Sequence, residues 1–454
     1  MPFSYRKIIL LFVLSFLLFT SSCSIHKQIA KQAANTILTD SAIATGNIGI
    51  CIYEPATNKY WYNYNSTHYF IPASNTKLFT LYAGMKYLGD SLVGLRYETI
   101  NKEYTVFSGT GDPTFLHPDF KNQPVYNFLK QATNPSYLSN SNLPVFSALG
   151  KGWAWDDYQS DYAAERSELP IYGNVASFYL QNDSVVVSPS FFYNNSLQWL
   201  NGVLKNGVNP NFKITRPFDE NSFHTVTTAS SKFSGQQVPF KTLSISSSPN
   251  QTPVFLKLLQ DTLHIKMGSA GPLDAKYIPK NIIHSQPTDS LFKPMMHRSD
   301  NFFAEQTLLM VSYEKLGYMS DEKIIDSLLK SDLKDVPQRP KWVDGSGLSR
   351  YNLFTPQSFV YILNKMRNDF TFERLKVILP TGGEGTINNY FKTISGNIYA
   401  KTGTLSNNCA LSGYLLTNKG KLLIFSVLAN NYITGATPVR RAVEQFLEGI
   451  QKKY

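Results

Sequence analysis

The sequence predicts an α/β domain that is divided by a long, mainly β insertion. Helical patterns lie near both ends of the chain, at 26–38 and 438–451. Strand patterns lie between them, near the start at 48–52 and 59–64, and near the end at 397–404, 409–417 and 421–430. Because helices from both ends enclose strands from both ends, we expect these segments to form one unit.

Hydrophobic periodicity supports each of these elements. Apolar residues recur at helical spacing in 26–38, in 74–88 after Pro72, and along one side of 438–451. Three isoleucines alternate with glycine and cysteine in 48–52, which is the pattern of a half-buried strand. A charged helix is predicted near 320–334.

The pattern of residue types along the sequence changes between residues 96 and 284. Short runs of Tyr, Phe, Val and Thr alternate there with clusters of Gly, Pro, Ser and Asn, as in 104–111, 184–193 and 212–225. Such runs predict short strands joined by turns. We therefore expect an inserted, largely β region of one or two subdomains.

Composition excludes several classes of protein. The chain has 454 residues, 43% of them hydrophobic, which is enough apolar surface to exclude disorder, collagen and coiled coil. The net charge of +11 is diffuse, without a long Lys/Arg run, so we expect no nucleic-acid partner. Three cysteines cannot form a disulfide scaffold, and no His-Glu-x-x-His pair occurs, so we expect no metal and no other cofactor.

The first 22 residues have the layout of a secretory signal peptide. Arg6 and Lys7 precede an apolar run at 8–19, and small residues then lead to Cys23. We therefore expect export, with the bacterial periplasm as the compartment. Cys23 after small residues resembles a lipobox, although Thr20 stands where Leu is usual. Two outcomes remain open, a lipid anchor on Cys23 and ordinary cleavage near it.

One of eight Ser-x-x-Lys matches stands in a context that suits chemistry. Ser74 lies at the start of an apolar helix that follows two strands, and Lys77 falls one turn later on the same face. The positive end of the helix dipole favours negative charge developing at Ser74. A buried Lys77 could lose its proton and act as the base that a hydroxyl nucleophile needs.

Two further motifs follow in order. Ser299-Asp300-Asn301 opens a helical stretch at 302–311, and Lys401-Thr402-Gly403 occurs once, on a predicted strand. The glycine of the second motif permits close approach of a ligand backbone. Ser-x-x-Lys, Ser-Asp-Asn and Lys-Thr-Gly together are the known motif set of class A β-lactamases and penicillin-binding proteins.

Two longer stretches of sequence resemble one particular family of penicillin-binding proteins. The run Val-Asp-Gly-Ser-Gly-Leu-Ser-Arg-Tyr-Asn at 343–352 and the run Leu-Pro-Thr-Gly-Gly-Glu-Gly-Thr at 379–386 resemble signatures of the D-alanyl-D-alanine carboxypeptidase/endopeptidase family. These are the class C low-molecular-mass penicillin-binding proteins. A large insertion between the first two motifs distinguishes that family, and here Ser299 comes 225 positions after Ser74.

The resemblance implies a β-lactamase/transpeptidase-like fold, in which helices flank an antiparallel sheet and a separate all-helical cluster packs beside it. We expect the catalytic domain to comprise 23–95 and 285–454. The inserted mainly β subdomains then span 96–284, and residues 1–22 are the signal peptide.

The resemblance also implies an acyl-enzyme mechanism on peptidoglycan stem peptides, with β-lactams as covalent inhibitors. Ser74 would attack the D-Ala-D-Ala carbonyl, Lys77 would take its proton, and Ser299 would relay a proton to the leaving amine. Asn301 would hold the substrate amide and position Lys77.

The remaining site residues would bind the substrate's carboxylate and oxyanion. Lys401, with Thr402, Gly403 and Thr404, is expected to read the terminal carboxylate. By analogy with the family, the oxyanion hole is the backbone N–H of Ser74 and of Thr404.

Two other functions are kept as alternatives. A serine β-lactamase shares the fold and the motifs, and the chain spells a Glu-x-x-x-Asn sequence at 384–388 that such enzymes use in deacylation. It lies only 17 residues before Lys401, so we interpret it as a structural turn with a solvated carboxylate. The other alternative is an inactive wall-binding or penicillin-sensing module, against which the intact motifs argue.

Structural roles are predicted for the other conspicuous residues. Asp344 and Arg350 are expected to pair and shape a loop. Trp153 and Trp155 are predicted to be core residues rather than a sugar-binding surface. Cys51 and Cys409 fall on separate predicted strands, so two buried free thiols are expected.

Overall fold

The computed structural model describes residues 25–138, 146–206, 211–229, 232–242, 254–270 and 277–454. The predicted signal peptide and Cys23 lie outside the described residues. Within the described ranges, no helix is long and apolar enough to cross a membrane.

The elements alternate along the chain. The strands are β1 (Asn47–Glu54), β2 (Lys59–Tyr64), β3 (Ser91–Ile100), β4 (Tyr104–Gly109), β5 (Pro135–Leu138), β6 (Val175–Gln181), β7 (Ser184–Ser188), β8 (Phe212–Thr215), β9 (His224–Thr227), β10 (Gln236–Pro239), β11 (Gly268–Ala270), β12 (Asn281–Pro287), β13 (Ile398–Leu405), β14 (Asn408–Leu416) and β15 (Leu422–Asn430). The helices are α1 (25–36), α2 (Lys77–Tyr87), α3 (Pro124–Gln131), α4 (Asn195–Lys205), α5 (Val254–Leu263), α6 (Thr288–His297), α7 (Asn301–Leu316), α8 (Asp321–Lys330), α9 (Pro356–Asp369), α10 (Phe372–Ile378) and α11 (Ala436–Lys453).

Strands from both ends of the chain form the central sheet, as predicted. Its order is β13-β14-β15-β1-β2, and every neighbouring pair is antiparallel. Asn47 of β1 lies opposite Asn430 of β15, and Thr404 of β13 lies opposite Cys409 of β14. β13 is an edge strand, so one side of it is open to the elements that carry the other motifs.

Helices cover both faces of this sheet. On one face, α1 and α11 bury Ile29, Ile37, Phe446 and Ile450 against the strands. On the other face, α9 packs on β1, β14 and β15, and the helical cluster of α2, α6, α7 and α8 continues that core. The antiparallel sheet with flanking helices and a helical cluster confirms the predicted fold class.

The predicted one-sided burial of β1 is wrong. Ile48, Ile50 and Ile52 face the core under α1 and α11, but Cys51 and Tyr53 are also buried, in the core on the opposite face. Because helices cover both faces, a central strand of this sheet has no solvent-exposed side.

In the region between the first two motifs, the described residues form three further sheets. Their orders are β11-β5-β4-β3-β12, β10-β6-β7 and β8-β9. The predicted boundaries at 96 and 284 fall inside β3 and β12, which pair with each other. Helices α3, α4 and α5, which we did not predict, pack against these strands in a separate core.

Candidate active site

Ser74 and Lys77 lie where β2 is followed by the helical cluster. Ser74 is in a short 3₁₀ turn, Ala73–Thr76, and α2 begins at Lys77. The Lys77 Nζ donates to Ser74 Oγ at 3.0 Å, to Asn301 Oδ1 at 2.6 Å and to the Ser346 carbonyl at 2.8 Å. Burial lowers the pKa of Lys77 to about 8, although the charges of Asp344, Asp300 and Glu305 oppose this shift. A neutral amine in contact with Ser74 Oγ is therefore accessible near neutral pH.

The second motif brings Ser299 and Asn301 to the same place. Asp300 caps α7 by accepting the Phe303 N–H at 2.9 Å, and Asn301 is the first residue of the helix. Asn301 Nδ2 also donates to the Tyr162 carbonyl at 3.0 Å, which connects the inserted region to the site. Ser299 has a left-handed backbone with φ of 61°, a conformation that non-glycine residues seldom adopt.

Lys401 of β13 completes the cluster from the opposite side. Its side chain is buried, and its Nζ donates to Ser299 Oγ at 2.8 Å and to the Thr402 carbonyl at 2.6 Å. Burial, followed by the positive charges of Lys77 and Arg440, holds the pKa of Lys401 well below its usual value. A carboxylate arriving beside Lys401 would supply the negative charge that favours its protonated form.

The two threonines and the glycine of this strand have different surroundings. Thr402 donates its hydroxyl to Thr386 Oγ1 at 2.7 Å and lines a small cavity under α11, away from the Ser74 cleft. A Cβ on Gly403 would lie 2.5 Å from the Pro72 carbonyl oxygen, so it is the Ser74 turn that approaches this glycine. Thr404 is exposed, lines the cleft and accepts a hydrogen bond from Arg440 at 2.5 Å.

These residues border a cleft of about 680 Å³ between the helical cluster, β13 and the inserted region. Ser74, Ser299, Asn301 and Thr404 line it, together with the loop around Leu348. The inserted region supplies the facing wall, which includes Gly152, Trp153, Ala154, Asp156, Asp157 and Tyr162. A cleft of this volume is in the range of ligand-binding sites, and the nucleophile is one of the residues that line it.

Asp344 organises the loop beneath the cleft, but not by pairing with Arg350 as predicted. The Asp344 carboxylate accepts from the backbone N–H groups of Gly347 and Ser349 and from the side chains of Asn352 and Trp153. Arg350 is exposed and donates to the Ser406 carbonyl at 3.3 Å. Four donors already satisfy the carboxylate, so it has no need of a cation.

The core prediction for the tryptophans is also wrong. Trp153 is half-buried in the cleft wall, and Trp155 is 76% exposed. The other structural expectations are confirmed. Glu384 is exposed and precedes a 3₁₀ turn, while Cys51 and Cys409 are buried free thiols on strands that β15 separates.

Several residues of the site were not predicted. Glu305 accepts the Ser346 N–H, Arg166 pairs with Glu305, and Arg440 reaches Thr404 from α11. One sequence feature could have identified Glu305 as a site residue. It lies four residues after Asn301 and therefore on the same side of α7. Arg166 and Arg440 belong to no motif, and only the tertiary fold brings them to the site. Among the described residues, no group of three or more His, Cys, Asp or Glu side chains could hold a metal ion.

The chain is similar in sequence to two known carboxypeptidases. The chain is 23% identical over 436 residues to D-alanyl-D-alanine carboxypeptidase DacB of Haemophilus influenzae, with 88% of each chain covered. It is 23% identical over 456 residues to penicillin-sensitive carboxypeptidase A of Dictyostelium discoideum, with 87% of this chain and 85% of that one covered.

A solved structure shows the same fold. The crystal structure of penicillin binding protein 4 (dacB) from Haemophilus influenzae superposes with a TM-score of 0.68 at 20% identity, covering 93% of this chain and 98% of that one. The family model of the D-Ala-D-Ala carboxypeptidase 3 group matches residues 30–453, which is nearly all of the described sequence. This chain therefore belongs to the D-Ala-D-Ala carboxypeptidase 3 (S13) family.

Proposed function

We propose that this protein hydrolyses the D-Ala-D-Ala bond of peptidoglycan stem peptides through an acyl-enzyme on Ser74. One observation carries the assignment. The buried amine of Lys77 contacts Ser74 Oγ at 3.0 Å, and burial holds its pKa near the operating range of a general base. Membership of the family supports the substrate class.

The contacts of the site support the following proton transfers. Ser74 Oγ gives its proton to neutral Lys77 and bonds to the carbonyl carbon of the penultimate D-Ala. The C–N bond then breaks, and the proton that Lys77 took reaches the leaving amine through the hydroxyl of Ser299, which lines the cleft and accepts from Lys401, so that Lys77 is neutral again. Water next cleaves the ester, which frees the shortened peptide and restores the Ser74 hydroxyl. The backbone N–H groups of Ser74 and Thr404 are the proposed oxyanion donors.

The substrate's terminal carboxylate binds beside Lys401 and Thr404 in this proposal. Thr402 is left out, because its hydroxyl is hydrogen-bonded to Thr386 and it does not line the cleft. Arg440 takes its place, because its guanidinium, which borders the cavity under α11, donates to Thr404 Oγ1, and Thr404 lines the cleft. Arg440, together with Lys401 once a bound carboxylate favours its protonated form, favours a peptide that ends in a free carboxylate.

Replacement of the nucleophile tests the proposal. We expect Ser74→Ala to abolish both D-Ala release from a D-Ala-D-Ala peptide and the penicilloyl adduct in intact-mass spectra. Its thermal unfolding midpoint should match that of the wild type, because the Ser74 hydroxyl lies at the cleft surface. Ser331→Ala is the matched control, since Ser331 starts another Ser-x-x-Lys match and is exposed. A penicilloyl adduct on Ser74→Ala would overturn the assignment.

Carboxypeptidase and endopeptidase activities differ in the leaving group. Digestion of purified sacculi by the wild type, followed by mass spectrometry of the released muropeptides, separates the two. Loss of terminal D-Ala alone identifies a carboxypeptidase, and a fall in cross-linked dimers identifies an endopeptidase.

We also propose export to the periplasm with a lipid on Cys23. The supporting features are the basic start, the apolar run at 8–19 and the small residues before Cys23. Metabolic labelling with an alkyne fatty acid should mark the wild type but not Cys23→Ala. An unlabelled wild type in the periplasmic fraction would leave ordinary cleavage as the outcome.

A further inference from the structure

A buried ion pair joins the inserted region to the helix of the second motif. Arg166, in the loop before β6, donates from Nη1 to Glu305 Oε2 of α7 at 3.2 Å, and the two side chains are 1% and 0% exposed. Arg166 is held further by the Ser147 carbonyl, at 3.1 Å and 2.7 Å, and by Asp321 at 2.5 Å. The guanidinium therefore has a fixed position.

The other carboxylate oxygen of Glu305 is connected through Ser346 to Lys77, the proposed base. Glu305 Oε1 accepts the Ser346 N–H at 2.7 Å, and the carbonyl of Ser346 accepts from Lys77 Nζ at 2.8 Å. One residue thus separates the Glu305 carboxylate from the amine of Lys77. Arg166 also lies against the Trp153 ring, with 5.8 Å between guanidinium carbon and ring centroid, and Trp153 lines the cleft.

Other charged groups surround this chain of contacts. Burial and the nearby carboxylate of Asp344 raise the pKa of Glu305 to about 7, against the effects of Arg166 and of the Ser346 N–H. The groups that face Lys77 are Asp300, Glu305, Asp344 and Lys401, and those that face Glu305 are Arg166, Asp321 and Asp344. Of these, Glu305 alone is both paired with the inserted region and hydrogen-bonded to the residue whose carbonyl accepts from Lys77.

We infer that Arg166 and Glu305 are positioning residues for Lys77, through which the inserted region fixes and tunes the base of the reaction. The inference rests on the proposed function, in which Lys77 takes the Ser74 proton. Glu305 orients residue 346 so that its carbonyl meets Lys77, and Arg166 neutralises Glu305, which would otherwise be an unpaired buried charge.

A second ion pair provides the matched control. Arg96 of β3 donates to Glu314 of α7 at 2.8 Å, so this pair joins the same inserted region to the same helix. Its side chains are 19% and 25% exposed, and neither residue is among the groups that face Lys77. If a substitution acts only by loosening the inserted region, the same substitution in either ion pair should slow acylation to a similar extent.

The test is the acylation rate of the full chain with a fluorescent penicillin, measured from about pH 6 to about pH 9.5, a range that spans the pKa of Lys77. In Glu305→Gln the amide oxygen still accepts the Ser346 N–H, but a negative charge near Lys77 is lost. The protonated form of Lys77 is then less stable, so the rising limb of the profile should move to lower pH by roughly 0.5–1 unit. Glu314→Gln should leave the limb in place.

Removal of the Arg166 guanidinium provides a second test, in which the acylation rate at pH 8 is measured. Arg166→Met leaves Glu305 unpaired, and we expect acylation at pH 8 to fall by about ten- to a hundredfold. Arg166→Lys should restore part of the rate, and Arg96→Met should stay within roughly twofold of wild type. If Arg166→Met fails to fold in thermal unfolding, the Glu305→Gln profile and Arg166→Lys decide instead.

The outcomes separate this inference from the proposed function. An unshifted limb in Glu305→Gln, or an equal shift in Glu314→Gln, overturns the inference while acylation of the wild type stands. A Lys77→Ala protein that acylates at the wild-type rate would instead remove Lys77 as the base, and with it both proposals.

Discussion

Lys77 and Lys401 are both buried lysines, yet their ammonium groups meet different partners. Lys77 donates to three acceptors, one of them the nucleophile, whereas Lys401 donates to Ser299 and to the Thr402 carbonyl. Burial lowers the pKa of each, and for Lys401 the charges of Lys77 and Arg440 lower it further. Lys77 is therefore suited to accept the proton of Ser74. Lys401 is suited to become protonated when the carboxylate of a substrate binds beside it.

Lys401→Ala should weaken substrates with a free terminal carboxylate much more than their amidated analogues. A charge-assisted contact is worth about 1.5–3 kcal/mol, so we expect a ten- to hundredfold loss in kcat/KM on the free acid. Comparison of D-Ala-D-Ala and D-Ala-D-Ala-amide peptides measures this. Equal losses on both peptides would show that Lys401 does not read the carboxylate.

Arg440→Gln should show the same selectivity with a smaller magnitude, because Arg440 is only partly buried. We expect roughly a three- to tenfold loss in kcat/KM on the free acid and little change on the amide. Arg441→Gln is the control, since Arg441 also packs on Tyr390, as Arg440 does, but pairs with Glu444. A similar loss in both variants would assign the effect to α11 as a whole.

At the scale of the elements, the site depends on how closely the Ser74 turn, β13 and the loop at 343–352 approach one another. Gly347 has φ of 84°, and a Cβ there would lie 1.9 Å from the Ala73 carbonyl oxygen. Ala73 itself has a left-handed backbone, with φ of 48°. The turn that carries Ser74 is thus held by contacts on both sides.

Gly347→Ala should therefore destabilise the protein and slow acylation. Gly420 has a similar φ of 74° but no atom within 4 Å of its Cβ position, so Gly420→Ala isolates the backbone penalty. We expect Gly420→Ala to cost about 1 kcal/mol in the free energy of unfolding. Gly347→Ala should cost about 1–3 kcal/mol more, because of overpacking. Urea titrations compare them, and equal costs would show that the close approach is unimportant.

Sequence patterns predicted the local elements better than their surroundings. The strands β13 to β15 and the helix α11 lie within a few residues of their predicted positions, because each carries a strong hydrophobic period. Alternation along β13 puts Thr402 and Thr404 on the same side of the strand, so it could not predict that Thr404 lines the cleft while Thr402 lines the cavity under α11. The two-sided burial of β1 and the Arg166–Glu305 pair could not be predicted, since both depend on which elements pack together.

At the scale of the whole molecule, the peptidase and β-lactamase interpretations use the same three motifs, so deacylation is what distinguishes them. Glu384 is exposed and begins a turn, and it is not among the residues that line the Ser74 cleft. General-base assistance is commonly worth about 10²–10⁴-fold. Without it, the penicilloyl-enzyme should persist for minutes or longer while a D-Ala-D-Ala peptide turns over.

Nitrocefin hydrolysis measures this prediction. We expect an acylation burst equal to the enzyme concentration and then slow turnover, which Glu384→Gln leaves unchanged. Sustained rapid hydrolysis without a burst, strongly reduced in Glu384→Gln, would favour the β-lactamase alternative.

The position of β1 between β15 and β2 also constrains how the chain can fold. Gln32 of α1 donates to the Phe446 carbonyl of α11, across 414 residues of sequence. Contacts of such long range form slowly, because the intervening chain must first be ordered or looped out. During synthesis, the first strand has no partner on one side until β15 has been made. The inserted region has its own core and could become compact earlier. The site around Ser74, in the turn before α2, would then be assembled last, so the acquisition of penicillin binding would report that the whole molecule has folded.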